Sequence, residues 1–308
     1  MVRYVVARTA GALAVLAGIT LFVAFGVRLT GDPAVAQFEG GAPPSAQDIA
    51  RIRQALGTDR PFVVQYGAFV ADAIRGDFGT SFRSGQPVLV LIAERAPATL
   101  ALAVGGMVVA LLAAFPLGTY AATHRDALAD VLIRIGSLLG LSFPNFWLGI
   151  MLILIVAVRL RWLPPSGYSG PGSLILPCVT LGIILASTLV RLVRASLLDT
   201  LGQPYVRTAR AKGLRERVVI GRHALRNALL PVVTFVGLQF GGLLGGIVIL
   251  ESVFAWPGLG QLAVAAVVNR DYPVDQGIVV VLAFGVIVIN LLVDISYGLL
   301  NPRVRVGA

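Results

Sequence analysis

The stretch "YVRTARAKGLRERVVIGRHALRN", residues 205 to 227, decides how this chain is organised. It carries seven Lys or Arg, one His and a single Glu, in a chain whose residues are 57% hydrophobic. A solvated run of charge is the simplest interpretation. The sequence on either side of the stretch determines whether that interpretation is sufficient.

The flanking sequence is that of a membrane protein. The mean hydropathy is +0.86 and only 13% of the 308 residues are charged, against about a quarter in soluble domains. Crossing a bilayer as a helix takes roughly 20 apolar residues. Six segments meet this requirement and predict an all-α polytopic membrane protein with six transmembrane helices: Ala10–Leu29, Ala98–Ala122, Ile135–Val158, Leu174–Val190, Ala228–Leu250 and Ile278–Leu300.

The first segment also has the features of a cleaved signal peptide. Arg3 and Arg8 precede it, and Ala34-Val35-Ala36 resembles a cleavage site. Its apolar run is longer than the usual signal core, which favours a retained helix.

The distribution of basic residues predicts the orientation. If both termini are cytoplasmic, the short outside loops carry only Arg159, Arg161 and Arg270. The remaining short loops carry most of the Lys and Arg, as expected for the cytoplasmic side. The net charge of +10 is then a consequence of membrane topology, which argues against nucleic-acid binding.

The predicted organisation has three parts. Residues 1–30 form an N-terminal transmembrane helix, residues 31–96 an extracytoplasmic segment, and residues 97–308 a five-helix core that contains a cytoplasmic loop over residues 200–227. The external segment contains two amphipathic pieces, Ala46–Leu56 and Phe62–Ile74, which are typical of short helices near a membrane surface. Inside the core, Pro116 and Pro144 are expected to kink their helices.

The opening stretch itself reads as two helices. Pro204 suits the first position of a helix and Gly213 suits the residue just past its end, so we expect a short helix over Pro204–Lys212. A second helix is expected from Leu214, with an apolar stripe of Leu214, Val218, Gly221 and Leu225. Membrane topology alone requires only a few Lys or Arg in a short turn. Two helices joined at a glycine therefore indicate a further role for this stretch.

This arrangement resembles the conserved cytoplasmic loop of ABC-importer permeases, written E-A-A, three residues, then Gly. Ala209 and Gly213 occupy the second Ala and the Gly of that motif, while Arg207 and Thr208 replace the Glu and the first Ala. The amino-acid sequence of the stretch is similar to that of the B-type permease of dipeptide and oligopeptide importers. Further strings along nearly the whole chain resemble the same family: "DRPFVVQYGAFVADAIRGDFGTSF" (59–82), "RAPATLALA" (95–103), "LSFPNFWLG" (141–149), "LPPSGY" (163–168), "VFAWPGLGQL" (253–262), "NRDYPVDQG" (269–277) and "NPRVR" (301–305).

The resemblance implies a type I ABC-importer permease fold in the bacterial inner membrane and a subunit without catalysis of its own. The implied partners are a second permease, two cytoplasmic ATPases that bind ATP and Mg, an external substrate-binding protein and membrane lipid. The sequence contains no G-x-x-x-x-G-K-[ST] loop and no H-E-x-x-H motif, so we expect no cofactor or metal site in this chain. Short peptides are the implied solute, with nickel or another small solute as the alternative.

Two groups of residues are candidates for the site. Contact with the ATPase is expected from Tyr205, Val206, Arg207, Ala209, Arg210, Lys212 and Gly213, with Tyr205, Val206 and Ala209 seated in a groove of the ATPase. The outer gate, or the contact with the binding protein, is expected from aromatic residues and charges in two Pro- and Gly-containing loops: Tyr168, Trp256, Arg270, Asp271 and Tyr272.

A different class of function is a secondary transporter driven by an ion gradient. Such a protein uses ionisable groups inside the membrane as a relay. The candidates are Glu251 and Asp294, and both lie near the ends of their segments rather than at the midplane. Solute transport by the purified chain without an ATPase would support this alternative.

Overall fold

The computed structural model describes residues 2–29, 45–47, 49–50, 53 and 59–300. These residues form no β-strand, and their only β-bridge joins Thr80 to Pro87. The twelve helices that we number are α1 (Val2–Leu29), α2 (Phe62–Ile74), α3 (Val88–Thr123), α4 (Leu128–Ser142), α5 (Asn145–Leu152), α6 (Ile175–Leu201), α7 (Pro204–Ala211), α8 (Glu216–Val218), α9 (Leu225–Gly246), α10 (Val248–Val253), α11 (Leu259–Val268) and α12 (Tyr272–Leu300). A π-helical turn over Ile153–Arg159 follows α5, a second over Val219–Ala224 joins α8 to α9, and a 3₁₀ turn over Pro171–Leu174 precedes α6.

The structure confirms an all-helical polytopic membrane protein. Five stretches are long and apolar enough to cross a bilayer, and a sixth is obtained if α4 and the helix that follows it count as one broken span. The five are Arg8–Gly26, Val88–Thr123, Pro171–Leu201, Glu216–Leu243 and Tyr272–Leu291.

The third predicted span, Ile135–Val158, is not a continuous helix. Its two halves, Leu128–Ser142 and Asn145–Arg159, meet at 103°, and Pro144 lies in the break between them. A proline ring clashes with the carbonyl four residues before it in a helix and removes a backbone donor. The kink predicted at Pro144 is confirmed, and it is strong enough to end α4. By contrast, α3 continues without interruption past Pro116.

The external segment is described only in part. The prediction of a helix over Phe62–Ile74 is confirmed by α2. The predicted helix over Ala46–Leu56 falls mostly outside the described residues, as does the candidate cleavage site at residues 34–36.

The described residues form two compact units, the first of which is drawn from Met1–Thr99 and Pro257–Ala308. Here α1 packs along α12, and the core is formed by apolar side chains from α3, α11 and α12. Gly277 is required in this core because a Cβ atom there would lie 2.5 Å from Val88 Cγ1. The N–H of Leu259 also donates to Thr99 Oγ1 over 2.8 Å, which fixes the start of α11.

The second unit, Leu100–Trp256, is built around α6, which packs against both α4 and α9. Small residues bring its helices close together. A Cβ atom on Gly106 would lie 2.5 Å from Leu181 Cδ2, and one on Gly182 would lie 2.4 Å from Val109 Cγ1. Close helix contact through glycine is typical of membrane proteins, in which van der Waals packing drives helix association.

A buried ion pair fixes α4 to α6. Asp130 is fully buried and accepts hydrogen bonds from Nε and Nη2 of Arg194 at 2.6 and 2.7 Å and from the N–H of Asp126 at 3.0 Å. Removing one partner of such a pair costs about 3–5 kcal/mol, because the other charge is left buried and uncompensated. The C-terminal half of α6, which leads into α7, therefore has a fixed attachment.

Candidate functional site

The short helix α7 begins at the predicted Pro204 and ends at Ala211, one residue before the predicted Lys212. Gln203 is extended, Pro204 occupies the first turn, and Ala211 is the last helical residue. Gly213 then takes a left-handed conformation with φ +75°, and its N–H donates to the carbonyl of Arg210 over 2.9 Å. Glycine adopts this conformation without the steric penalty that other residues incur. The predicted short helix is confirmed, and so is the position of Gly213 just past its end.

Two residues predicted to contact an ATPase are instead part of this chain's own core. Val206 is 0% exposed and Ala209 is 6% exposed. Their apolar partners come from α3, α6 and the beginning of the fifth span: Ala122, Leu197, Val219, Ala224 and Ala228. The expectation that Val206 and Ala209 seat directly in an ATPase groove is therefore corrected, because these side chains are used to attach α7 to the second unit.

The surface of α7 away from this core is basic. Tyr205, Arg207, Arg210 and, directly after the helix, Lys212 are all exposed. The Nδ2 group of Asn227 donates to the Tyr205 hydroxyl over 2.8 Å. α7 is therefore attached by the apolar packing of Val206 and Ala209 and by the hydrogen bond between Asn227 and Tyr205. Its cationic groups stay accessible to another molecule.

An ion pair closes the turn around Gly213. Nη2 of Arg210 lies 2.6 Å from Glu216 Oε1, and both side chains are about half exposed. This hydrogen bond raises the pKa of Arg210 above its usual value. The pair joins the end of α7 to the first residue of α8. It therefore restricts the angle between the two helices.

The helix after Gly213 differs from the prediction in its start and in its buried face. It begins at Glu216 rather than at Leu214. None of the four residues of the expected apolar stripe is buried, and Leu214 and Val218 among them are exposed. The buried residues are Val219 and Ala224, which are five apart. The prediction assumed an uninterrupted α-helix, but Val219–Ala224 is a π turn, in which the N–H of Leu225 bonds to the carbonyl of Ile220. Residues five apart share a face in a π turn.

Two residues expected at the outer face lie at the end of the second unit. Tyr168 is exposed, whereas Trp256 is 2% exposed, and the two rings meet edge to face at 5.6 Å. The N–H of Gly167 donates to the carbonyl of Phe254 over 2.8 Å, which fixes the loop beside Trp256. Tyr168 is therefore accessible to a partner. The direct contact expected of Trp256 is corrected, because its ring is buried and packs against the ring of Tyr168.

The other three expected residues belong to the first unit. Arg270 is exposed, with a left-handed φ of +52°, but Asp271 and Tyr272 are buried. Asp271 accepts hydrogen bonds from Ser81 Oγ at 2.5 Å and from the N–H of Phe82 at 3.0 Å. Tyr272 packs against Phe82. The expectation of surface contact is corrected for Asp271 and Tyr272, which hold a turn of the external segment in place.

Sequence reasoning missed several residues that shape these sites. Arg210 and Glu216 are six residues apart, and a continuous α-helix brings together only residues three or four apart. They pair because the chain turns at Gly213, which the spacing alone does not indicate. Asn227 and Ser81 have no local pattern that marks them. In the described part of the chain, no three His, Cys, Asp or Glu residues could hold a metal ion. Glu251 is fully buried, and the side chain of Asp294 lies outside the described residues.

The described residues thus combine several apolar helices long enough to cross a membrane with a short, firmly attached, basic helix between two of them. Two family models assign the chain to a class of membrane permease subunits, and together they match almost the whole chain. Residues 114–306 match the binding-protein-dependent transport system inner membrane component, and residues 1–103 match the N-terminal family of the same membrane components. The chain belongs to this family and is a multi-pass inner-membrane permease subunit of an ABC importer.

Similar proteins agree with this assignment. The glutathione transport system permease protein GsiC of Salmonella typhimurium (strain LT2) is 44% identical over 306 residues, which cover 99% of each chain. GsiC of Escherichia coli (strain K12) is 43% identical over the same length and coverage. An inward-facing structure of the MetNI methionine ABC transporter superposes with a TM-score of 0.59 at 20% identity, over 68% of this chain and 96% of that chain. At this identity the superposition supports the fold alone.

Proposed function

We propose that this permease forms half of an ATP-driven import path for short peptides. The observation that carries the proposal is the 44% identity to a glutathione permease over 99% of both chains, since glutathione is itself a tripeptide. The sequence resemblance to dipeptide and oligopeptide permeases points to the same class of solute. The implied partners are a second permease, two cytoplasmic ATPase subunits or domains that bind ATP and Mg, and an external substrate-binding protein.

We assign the coupling of ATP hydrolysis to α7 and the turn that follows it. The exposed groups of Tyr205, Arg207, Arg210 and Lys212 supply the contact surface for the ATPase. Val206 and Ala209 transmit the resulting force, because their side chains are packed against the second unit. Gly213 sets the direction of α7 through its left-handed conformation.

Both termini are cytoplasmic, which puts α7 on the ATPase side and residues 31–96 outside. Tyr168 and Arg270 then lie at the outer face, where they contact the binding protein or the gate, and Trp256, Asp271 and Tyr272 support the loops that carry them. The five-helix core over residues 97–308 provides the path.

Uptake by a deletion strain tests the solute. Cells without this gene are expected to lose uptake of a labelled dipeptide or of labelled glutathione, and to recover it when the gene is restored on a plasmid. Comparison of the two labelled compounds distinguishes dipeptide from tripeptide import. Normal peptide uptake with loss of radioactive nickel uptake would show that the alternative solute class is correct.

A reconstituted system tests the energy source. Vesicles that contain both permeases, the ATPases and the binding protein are expected to accumulate peptide only with ATP. Accumulation by the permease alone, in response to an ion gradient, would instead support the secondary-transporter alternative.

A further inference from the structure

The beginning of the fifth span carries two columns of residues with the same spacing. The buried column is Val219, Ala224 and Ala228. The second column is Arg217, Arg222 and Arg226, and all three arginines are exposed. In each column the first step is five residues and the second is four, and the columns are offset by two residues.

The π turn is what aligns both columns. Residues five apart in an α-helix point about 140° away from each other, so neither set would share a face if the helix were regular. The π turn at Val219–Ala224 brings residues five apart onto one side, and α9 then continues with the four-residue step. Because a two-residue offset in a helix is close to half a turn, the arginine column faces away from the buried column.

The arginine column has no counter-charge in the described part of the chain. No carboxylate among the described residues forms an ion pair with Arg217, Arg222 or Arg226; Glu216 pairs with Arg210 instead. Three exposed guanidinium groups on one helical face form a concentrated positive surface. Each can form paired hydrogen bonds to phosphate oxygens.

The same helical face becomes apolar further along. Leu230 follows Arg226 by four residues and Val233 follows it by seven, and these side chains are 47% and 52% exposed. All five of these positions, from Arg217 to Val233, lie within the apolar stretch that runs from Glu216 to Leu243. A face that changes from arginine to exposed Leu and Val matches the change from lipid headgroups to hydrocarbon.

From this geometry we infer that Arg217, Arg222 and Arg226 form a binding surface for the headgroups of anionic phospholipids. Clusters of basic residues at the membrane end of a helix are attracted to such lipids by about 1 kcal/mol per residue, a fivefold change in affinity. An acidic surface on an ATPase fits the column less well, since a water-soluble partner would have to continue over the exposed Leu230 and Val233.

The experiment measures lipid directly in the purified transporter complex. Complexes are reconstituted in phosphatidylcholine membranes with and without labelled phosphatidylglycerol, and the labelled lipid retained per complex is determined. The test variant combines Arg217→Gln, Arg222→Gln and Arg226→Gln. The matched control combines Arg125→Gln, Arg191→Gln and Arg215→Gln, which removes the same charge from exposed positions outside the column.

The test variant is expected to bind phosphatidylglycerol about fivefold more weakly per arginine removed, on the order of 100-fold in total, while the control keeps its affinity. If the triple variant does not accumulate, Arg222→Gln alone is expected to show the fivefold loss. Unchanged lipid binding in the test variant, or an equal loss in the control, would overturn the inference. So would release of the ATPases with lipid binding intact, which would identify the column as a protein contact. None of these readouts depends on the solute transported.

Discussion

The segment that we propose for coupling, residues 204–227 (the coupling segment), and the turn that we propose to lie outside the membrane, residues 79–87 (the external turn), are held in place by opposite means. Val206 and Ala209 share an apolar cluster with Val219 and Ala224 of the same segment and with three residues outside it, Ala122, Leu197 and Ala228. The charged side chains of the segment remain exposed. The external turn is held by one buried carboxylate, Asp271, which accepts hydrogen bonds from Ser81 and Phe82. Its own charged residue, Arg83, is exposed.

The two attachments differ in how many groups contribute to the stabilisation. Apolar contacts are non-directional and are shared among many atoms, so the coupling segment can withstand a modest loss of volume at any one position. A buried carboxylate concentrates the attachment in one group, because each donor that loses it is left without a partner. The coupling segment should therefore be sensitive to buried charge, and the external turn to loss of a single acceptor.

The largest effect is expected from Val206→Asp. It places an unpaired carboxylate in the apolar cluster around α7, at a cost of several kcal/mol. The amount of permease in the membrane and the thermal stability of the purified permease in detergent should both fall sharply. Arg207→Asp, one residue away on the exposed face, is the control and should keep both near normal. Equal stability of the two variants would contradict the proposed attachment of α7.

Asp271→Ala is expected to have an intermediate effect. Ser81 Oγ and the Phe82 N–H lose their acceptor, which costs about 2–3 kcal/mol. The protein should still accumulate, but proteases should cleave the exposed residues 83–86 faster, and the melting temperature should fall. The control is Asp72→Ala, since Asp72 is exposed and only loosely paired with Arg75 at 3.8 Å. Unchanged proteolysis in Asp271→Ala would show that the carboxylate does not hold the turn.

The smallest effect on stability, with a large effect on activity, is expected from Gly213→Val. A Cβ atom at this position has open space around it, so the cost comes from the left-handed backbone alone and is about 1–2 kcal/mol. The permease should insert and assemble, but α7 should be misdirected, and ATP-driven uptake should fall much more than protein level. Gly213→Asn, which tolerates this conformation better, should retain more uptake. Normal uptake in Gly213→Val would contradict the coupling role.

Local rules explain which parts of the coupling segment could be predicted. Pro204 and Gly213 mark the ends of α7 because each restricts or permits particular backbone angles, whatever surrounds them. Pro144 breaks the third span for the same reason. The face of α7 that is buried could not be predicted, since Val206 contacts Ala122 and Leu197 from distant helices.

The π turn shows a second limit of sequence patterns. An apolar period of 3.6 residues predicted Leu214, Val218, Gly221 and Leu225 as the inner stripe, but one turn with a different hydrogen-bonding pattern moved the buried face to Val219 and Ala224. No residue pattern in this stretch indicates the π turn over Val219–Ala224. Its arrangement depends on the fit against α7.

The sequence by itself determined the membrane class, the short helix that begins at Pro204 and stops before Gly213, and the membership of a permease family. Each of these follows from composition, backbone restriction or motif order, which act locally along the chain. Only the tertiary structure decided that Val206, Ala209, Asp271 and Tyr272 are buried supports rather than contacts, and that Asp130 pairs with Arg194. These outcomes join residues far apart in the sequence, Asp271 and Ser81 by 190 positions, and burial is set by how the helices pack.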